Sequence, residues 1–572
     1  MVVVALLVAA ASVSRASADT ATGSAATANA RPLQRCATEN ALRTVNGAQQ
    51  RCTRNPKGVL RWRAATATVT KAVDNPKLLR VEQRGDFAGV GSLAYTPDGV
   101  LIAGGTFWFG ATLGNFTVET GWNTPSGSNN FTGFFATVSP DFEWTSARQI
   151  GGTSAGEAGF DVILPLSDSS VVVAGQFRGR LNIGNTTYRA TPNNAKHSAT
   201  TRDMWGYSPT AYFGRILSDG SWAWHRTLPF AGGSRITFAH ELVDGPLFLS
   251  GTYNATPDYA PKSGYSSTDT HFMLVYDRNG TLLNSRLIQT TANVEGSWID
   301  LRVNSLLPDG SVIVSGTYCG SLSFGGVSLP KSGLPRTSRN GRIGPLCDGP
   351  SYFLGKSGFV AKLRPDLAVE WLVDLEPKGP QQNELDLRVH GAAVSSKGDV
   401  TIVGELTGGE IRFGNSLLKA RPDAGPRSLP EKIGFVAAID AAGKLRWGKS
   451  AGKRVSLVRA TPDDKFVIGG WYGRPGTKLD AYSLTTFGEF DGFVAKIDGV
   501  GKWEWLNGIS FPGPRNKEWN SVVRSLAVAP DGSIAVGGYI EGNVQFGTVP
   551  VAGRAQVSTG FVARLSPVGV WK

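Results

Sequence analysis

Residues able to transfer protons or bind anions stand at the start of three short apolar segments in the second half of the chain. Two segments carry alternating triads and the third a single arginine: Asp300, Arg302, Asn304, Asp386, Arg388, His390 and Arg524. Carboxylates and histidine act as general acids and bases, and arginine binds carboxylate or phosphate oxygens in pairs. If Asp300, Asp386, Arg388 and His390 cluster at one cavity with shifted pKa values, an enzyme is favoured. If these side chains are dispersed instead, a binding protein is favoured. A purely structural role is the alternative, in which the Asp and Arg side chains only neutralise each other.

Trp298 and Trp519 precede two of these segments and could stack on sugar rings or pack in a core.

A second candidate site is the segment between Cys319 and Cys347, which contains no acidic residue. Its basic residues are Lys331, Arg336, Arg339 and Arg342. This segment could hold an anionic polymer or an acidic protein patch, or it could be a solvated loop that a disulfide stabilises.

The four cysteines predict two local disulfides, Cys36–Cys52 and Cys319–Cys347, in an oxidising compartment. Four unrelated buried thiols are the alternative.

Other motifs point to no catalytic chemistry. Residues 152–156 match the G-x-S-x-G pattern of a serine nucleophile but lie in a glycine-rich join without the helix that this motif needs. The five histidines lack metal-ligand spacing, and no C-x-x-C pair occurs. We therefore expect neither a metal nor a cofactor.

The elements that position these residues follow from an internal repeat. A turn residue is followed seven positions later by glycine in seven copies: Asp98/Gly105, Asp168/Gly175, Asp244/Gly251, Asp309/Gly316, Lys397/Gly404, Asp463/Gly470 and Asp531/Gly538. Downstream, a Gly-Phe-Val-Ala-Lys-Leu segment and then a Gly-x-x-x-Trp segment recur, for example from Gly434 and from Gly443. Proline, aspartate and glycine together form a tight turn between two strands.

Four short antiparallel strands per copy are the blade of a β-propeller. The sequence therefore predicts an all-β fold, a seven-bladed β-propeller of four-stranded antiparallel blades. Residues 58–62 copy the Gly-x-x-x-Trp element, and the chain stops partway through it at Lys572. We expect an N-terminal strand from residues 58–62 to complete the last blade, because closure removes an exposed edge; alternatively, residues 58–80 pack elsewhere.

The combination of Gly-x-[apolar]-x-Phe-Gly, Gly-Phe-Val-Ala-Lys-Leu and Gly-x-x-x-Trp resembles the bacterial surface β-propeller repeat (SBBP) over residues 58–572. The resemblance implies an exported or surface propeller and supplies no catalytic residues. The third unit departs from it, because His271 begins a Phe-Met-Leu-Val-Tyr run and no Trp follows. That departure predicts an irregular third blade.

The N-terminal sequence and the net charge of the chain indicate where the protein acts and what kind of partner it binds. An apolar run at residues 2–13 and a small-residue cleavage pattern predict a signal peptide over residues 1–18, followed by a flexible leader over 19–57 and the propeller over 58–572. The net charge of +13 favours anionic partners, and the absence of a dense basic tract argues against nucleic acid. No other segment is long and apolar enough to predict a membrane span.

We therefore expect a secreted or cell-surface protein that acts as a non-enzymatic binding or assembly module, in adhesion or as a scaffold. Its partner would be a surface or extracellular protein or an anionic polysaccharide. The main alternative is a polysaccharide-degrading enzyme with its site at the mouth of the propeller channel. A quinone-dependent dehydrogenase is a third possibility, although the cofactor cage and adjacent cysteines typical of that class are not visible.

Overall fold

The computed structural model describes the propeller strands and most of their turns. The described residues are 42–45, 48–54, 60–64, 77–83, 87–119, 131–151, 156–190, 209–228, 233–243, 245–253, 270–288, 290–292, 298–332, 356–379, 385–421, 431–473, 476–485, 490–510, 520–553 and 557–572, with the backbone alone for 42–64. The chain divides into two compact units, Met1–Ala72 and Val73–Lys572. The regular elements of the described residues are all strands, and these residues include no helix able to span a membrane.

The N-terminal unit contains a three-stranded antiparallel sheet of β1 (Leu42–Val45), β2 (Ala48–Arg54) and β3 (Leu60–Ala64). Two of these strands lie in the segment expected to be a flexible leader. The third contains most of residues 58–62, which we expected to close the propeller, but it pairs with β2 instead. The compact unit that holds the propeller begins at Val73.

The second unit is a seven-bladed β-propeller, which confirms the predicted fold class. It begins with β4 (Leu79–Gln83). Blades 1 to 3 contain β5 (Ala88–Tyr95), β6 (Leu101–Trp108), β7 (Gly110–Leu113), β8 (Phe116–Glu119), β9 (Phe131–Val138) and β10 (Trp144–Ile150); β11 (Gly156–Pro165), β12 (Val171–Ile183), β13 (Thr186–Arg189), β14 (Thr210–Ile216) and β15 (Trp222–Thr227); and β16 (Ser234–Glu241), β17 (Leu247–Tyr253), β18 (Thr270–Tyr276) and β19 (Leu282–Ile288). Blades 4 and 5 contain β20 (Thr290–Ala292), β21 (Trp298–Leu306), β22 (Val312–Phe324), β23 (Val327–Ser332), β24 (Ser357–Leu363) and β25 (Val369–Leu375); and β26 (Asp386–Val394), β27 (Val400–Thr407), β28 (Glu410–Phe413), β29 (Ser416–Lys419), β30 (Lys432–Ile439) and β31 (Leu445–Ser450). Blades 6 and 7 contain β32 (Arg454–Ala460), β33 (Phe466–Tyr472), β34 (Thr477–Leu479), β35 (Tyr482–Leu484), β36 (Asp491–Ile497) and β37 (Trp503–Ser510); and β38 (Ser521–Val528), β39 (Ile534–Ile540), β40 (Val544–Phe546), β41 (Val549–Val551) and β42 (Thr559–Leu565).

The first strand of every blade lines the central channel, because it contacts the first strands of both neighbouring blades. These strands are β5, β11, β16, β21, β26, β32 and β38. The turn that follows them has the predicted chemistry: Asp531 Oδ1 accepts a hydrogen bond from Ser533 N at 2.8 Å, and Gly532 has a φ of 79°. We call the end of the channel at which the first strands begin the channel mouth.

An N-terminal strand closes the ring, as predicted, but it is β4. Leu79 pairs with Val562 and Val81 with Gly560 on β42, so β4 is the outermost strand of blade 7. Few residues separate β4 from β5, which lets the chain pass directly from the outer edge of blade 7 into blade 1. At the other end of the chain, Trp571 adds a single bridge to Leu565.

The repeated glycine allows the first strand of each blade to bulge. A Cβ on Gly105 would lie 2.1 Å from the main-chain oxygen of Gly89 and 2.5 Å from the Phe134 ring, and the other six copies would approach the first strand at 1.8–2.0 Å. Every first strand has a β-bulge near this contact, and the bulged residues are Gly91, Asp161, Thr237, Asn304, His390, Ser456 and Arg524. Because a bulge re-aims neighbouring side chains, the glycine repeat helps to set which residues face the channel.

The repeated tryptophan links each blade that carries it to the next blade by a hydrogen bond. Its indole N–H donates to a main-chain oxygen in a turn of the next blade: Trp224 to Arg278 at 2.7 Å, Trp371 to Ala441 at 3.1 Å, Trp447 to Gly499 at 3.0 Å and Trp505 to Pro567 at 3.2 Å. In blades without this tryptophan an arginine donates to the equivalent turn: Arg148 to Asp219, Arg286 to Pro365 and Arg564 to Pro140.

The expectation of an irregular third blade is wrong. Strands β16 to β19 form an ordinary four-stranded sheet with the same bulge as the other blades. The missing tryptophan does not disturb it, because Arg286 makes the contact with blade 4 instead.

We expect Trp447→Phe to destabilise the propeller by about 1–2 kcal/mol, since it removes the indole hydrogen bond and part of the packing against Gly501. The measurement is the urea unfolding midpoint. Val500→Ala in the same turn is the control, because Val500 is 81% exposed and should change stability by less than about 0.5 kcal/mol. Equal midpoints for the two variants would show that the tryptophan does not hold the blades together.

Candidate functional site

Three repeat positions build the channel mouth. Two lie on the first strand, nine and seven residues before the turn residue, and the third follows the repeated glycine on the second strand. In blade 5 these positions hold Arg388, His390 and Glu405, and in blade 7 the last two hold Arg524 and Tyr539. The mouth is thus assembled from the same three places in successive blades.

Arg388 is paired with two carboxylates. Its Nε lies 2.8 Å from Asp386 Oδ2 and 3.9 Å from Glu405 Oε1. Burial raises the pKa of Asp386, although Arg388 and Lys356 oppose this shift. Asp386 is therefore partly neutralised by Arg388, which is the structural alternative stated above.

Glu405 is the centre of the charged cluster. Its Oε2 lies 3.7 Å from His390 Nε2 and 3.8 Å from Arg454 Nε, and its side chain is 3% exposed. Burial by itself would raise the pKa of this carboxyl, but His390 and Arg454 hold it at about 2. Glu405 is therefore a buried anion that fixes the cations around it.

His390 is buried in its neutral form. Burial lowers its pKa, and the charge of Glu405 only partly opposes this effect. The Nε2 atom is buried and accepts or donates no hydrogen bond among the described residues. A neutral imidazole of this kind has the chemistry of a general base, but its ring is covered.

The triad of blade 4 packs against blade 5. Arg302 Nη2 lies 2.8 Å from Asp300 Oδ2, and both side chains are more than a third exposed. Asn304 accepts a hydrogen bond from Ala392 N at 3.0 Å and donates one to Ser315 Oγ at 2.8 Å. Asn304 therefore ties the two first strands together, whereas Arg302 and Asp300 face solvent.

Four arginines from successive blades form an arc at the mouth, which we call the arginine arc: Arg302, Arg388, Arg454 and Arg524. Burial lowers the pKa of Arg454, the carboxylate of Glu405 opposes this shift, and the positive charges of the other three arginines lower the pKa further. Arg524 lies over the Tyr539 ring, 5.5 Å from its centroid, and forms no ion pair with a described carboxylate. The arc therefore carries positive charge that its neighbours do not fully neutralise.

Beside the arc lies an open cavity of about 440 Å³. Three of the six mouth positions of blades 1 and 2 are glycine, namely Gly89, Gly91 and Gly159, and the cavity lies beside them. Its lining includes Gly89, Gly91, Thr106, Gly159, Asp161, Gln176, Arg235, Arg524, Tyr539, Phe87 and Phe131. Arg235 pairs with Asp161 at 2.6 Å, and Arg524 belongs to both the arc and the cavity.

The structure brings most of the predicted site residues together. Asp386, Arg388, His390, Arg302 and Arg524 all lie at one mouth, with Asp300 at its edge. In the basic segment, only the backbone of Lys331 is described, and Arg336, Arg339 and Arg342 lie outside the described residues.

Several predicted features are left untested. Trp519, Cys36 and Cys347 lie outside the described residues, as does the predicted signal peptide over residues 1–18, and the side chains of Trp298 and Cys52 are not described. Cys319 is buried. Because Cys36 and Cys347 lie outside the described residues, both disulfide pairings stay predictions. Among the described residues, no group of three His, Cys, Asp or Glu side chains is placed to hold a metal ion.

The sequence analysis missed Glu405, Arg454, Arg235 and Tyr539. Aligning the repeats on the turn residue would have found Arg235 and Arg454, because both occupy the position of Arg388. The residue after each repeated glycine would likewise have revealed Glu405 and Tyr539.

Comparison with known proteins leaves the family open. No family model matches the chain, and no curated protein matches it. Among solved structures, an ulvan lyase from a new family of polysaccharide lyases matches with a TM-score of 0.41 and 9% identity, covering 86% of this chain and 97% of that one. A protein of unknown function from Dyadobacter fermentans gives a TM-score of 0.34 at 10% identity, covering 85% and 98%. The β-propeller domain of the trilobed protease from Pyrococcus furiosus gives 0.33 at 7% identity, covering 81% and 98%. Scores this low carry no argument about function.

Proposed function

We propose that the protein is a non-enzymatic binding module that holds an anionic ligand at the channel mouth. The observation that carries this proposal is the arginine arc, whose member Arg524 forms no ion pair with a carboxylate of the described residues. Burial is the main cause of the lowered pKa of Arg454, and the positive charges of the other three arginines add to it. A bound anion would relieve the repulsion among these charges. Guanidinium groups also bind carboxylates in bidentate pairs, which suits a carboxylated ligand.

We further propose that the module acts outside the cell, as an adhesion or assembly protein. The apolar N-terminal run with its small-residue cleavage pattern, the even number of cysteines and the repeat resemblance support this location. An anionic polysaccharide or an acidic patch on a surface protein would then be the natural partner.

A polysaccharide-degrading enzyme is the second candidate, because His390 is neutral and close to a carboxylate. Against it, His390 Nε2 has almost no solvent contact, so a substrate cannot reach the atom that would accept a proton. Incubation with acidic polysaccharides, read as loss of polymer length, distinguishes the two. Shortening of the polymer that His390→Ala abolishes would establish the enzyme.

Arg524→Gln tests the binding proposal. We expect it to weaken binding to polygalacturonate by about tenfold at low salt, since it removes a charge-assisted contact. Arg446→Gln is the matched control, because it removes one positive charge from an exposed site outside the mouth, where Arg446 pairs with Asp440 at 3.2 Å. Affinity is measured by calorimetry at two salt concentrations.

Equal affinities for the two variants would mean that net charge alone drives binding and would overturn a site at the mouth. A selective loss in Arg524→Gln that shrinks as salt rises would support it.

A further inference from the structure

The cavity beside the arginine arc is bordered by three mouth positions that are glycine. Gly89 and Gly91 in blade 1, and Gly159 in blade 2, stand where other blades carry side chains such as Arg388 and His390. A Cβ on Gly91 would meet no atom within 4 Å. The missing side chain at Gly91 therefore contributes open space to the cavity.

Aromatic rings form one wall of this cavity. Phe87 contacts Trp108, Phe131 and Tyr539 with ring centroids 5.6–6.1 Å apart, and Trp108 contacts Phe131 at 5.2 Å. All four side chains are only partly buried. Partly exposed rings clustered at a recess offer the flat apolar faces of a sugar ring a surface to stack on.

Charged and neutral polar groups complete the lining. Arg524 lies over one of the rings, and Arg235 is 52% exposed at the cavity while its partner Asp161 is largely buried. Thr106 and Gln176 add uncharged hydrogen-bonding groups. An apolar recess with a few polar groups, at about 440 Å³, has the size and composition of a small-molecule site.

From this combination we propose that the cavity is a saccharide subsite that takes a uronic acid unit of an acidic polysaccharide. The proposal rests on the proposed function and names its ligand class. The sugar ring stacks on Tyr539 and Phe87, its carboxylate pairs with Arg524, and its hydroxyl groups bond to Gln176 and Thr106. The rest of the polymer extends along the arginine arc.

A recess favours this ligand over an acidic protein patch. Side chains of a folded partner would have to enter a recess of about 440 Å³, whereas a polysaccharide can present one ring at a time. The aromatic wall favours a carboxylated sugar over inorganic phosphate, which has no apolar face to stack.

Gly91→Leu tests the subsite by filling the cavity while leaving every arginine in place. We expect it to lower the affinity for trigalacturonate by about tenfold or more, because the leucine side chain occupies the space of the sugar ring. Gly499→Leu is the control; it lies in a turn of blade 6 and its Cβ would also meet nothing within 4 Å. Both full-length variants are titrated by calorimetry, after circular dichroism and unfolding midpoints confirm that they fold.

The outcomes separate this inference from the proposed function. Loss of trigalacturonate binding in Gly91→Leu, with the control unchanged, supports the subsite. Normal binding in Gly91→Leu together with a loss in Arg524→Gln keeps the anion site and overturns the subsite. If the neutral maltotriose binds as tightly as trigalacturonate, the uronic acid assignment is overturned. If sulfated saccharides of equal length bind more tightly than trigalacturonate, the ligand is a sulfated sugar, and the uronic acid assignment is likewise overturned.

Discussion

Glu405→Gln is expected to destabilise the folded protein by about 3 kcal/mol at neutral pH, because it removes the buried carboxylate that pairs with Arg388 and Arg454. The carboxylate is 3% exposed and lies 3.7–3.9 Å from nitrogens of His390, Arg388 and Arg454. Glutamine keeps the shape of the side chain but not its charge. The measurement is the urea unfolding midpoint of the two proteins at pH 7.

The difference in stability between the wild type and Glu405→Gln should depend on pH. The pKa of Glu405 is lowered from 4.5 to about 2 on folding, so its stabilising effect is complete above about pH 4.5. It is lost as the pH falls from there towards 2, and the difference between wild type and Glu405→Gln should shrink over that range. Glu410→Gln is the control, because Glu410 is exposed and its pair with Lys419 at 2.9 Å should contribute about 0.5 kcal/mol or less. A Glu405→Gln effect no larger than this at pH 7 would contradict its role at the centre of the cluster.

Gly105→Ala is expected to destabilise blade 1 by about 3 kcal/mol or more, since overpacking and backbone strain act together. The added methyl group would lie 2.1 Å from the Gly89 main-chain oxygen and 2.5 Å from the Phe134 ring, so the bulge of β5 must be displaced. The variant should also bind trigalacturonate less well, because β5 carries Gly89 and Gly91 at the cavity.

Gly91→Ala is the matched control in the same blade. Its methyl group meets no atom within 4 Å, so we expect a change in stability of less than about 0.5 kcal/mol. Thermal melting of both variants checks the prediction. If Gly105→Ala melts like Gly91→Ala, the repeated glycine is not required for the bulge.

The fold could be predicted from the sequence because each repeat contains the residues that form its turn and permit its close strand contact. Asp531 and Gly532 form the predicted turn, and in every blade a Cβ on the glycine seven residues after the turn residue would clash with the first strand. The closing strand was misassigned because residues 58–62 look like the repeat, whereas β4 has no Gly-x-x-x-Trp motif and is identified only by its pairing with β42.

The candidate site was less predictable from sequence. Arg302, Arg388, His390 and Arg524 stood out by their residue types, but the role of Glu405 depends on contacts between neighbouring strands and blades. The cavity could not be predicted from the sequence, since the glycines that border it matter only once the seven first strands meet around one channel.

The central claim is that anionic ligands bind at the channel mouth, and hydroxyl-radical footprinting of the full-length protein with polygalacturonate tests it most directly. The account predicts reduced oxidation of Tyr539, Phe87 and Phe131 when the polymer is present, and unchanged oxidation of Leu283, which is 56% exposed on the outer strand of blade 3. Unchanged oxidation of the three mouth aromatics at saturating polymer would contradict it.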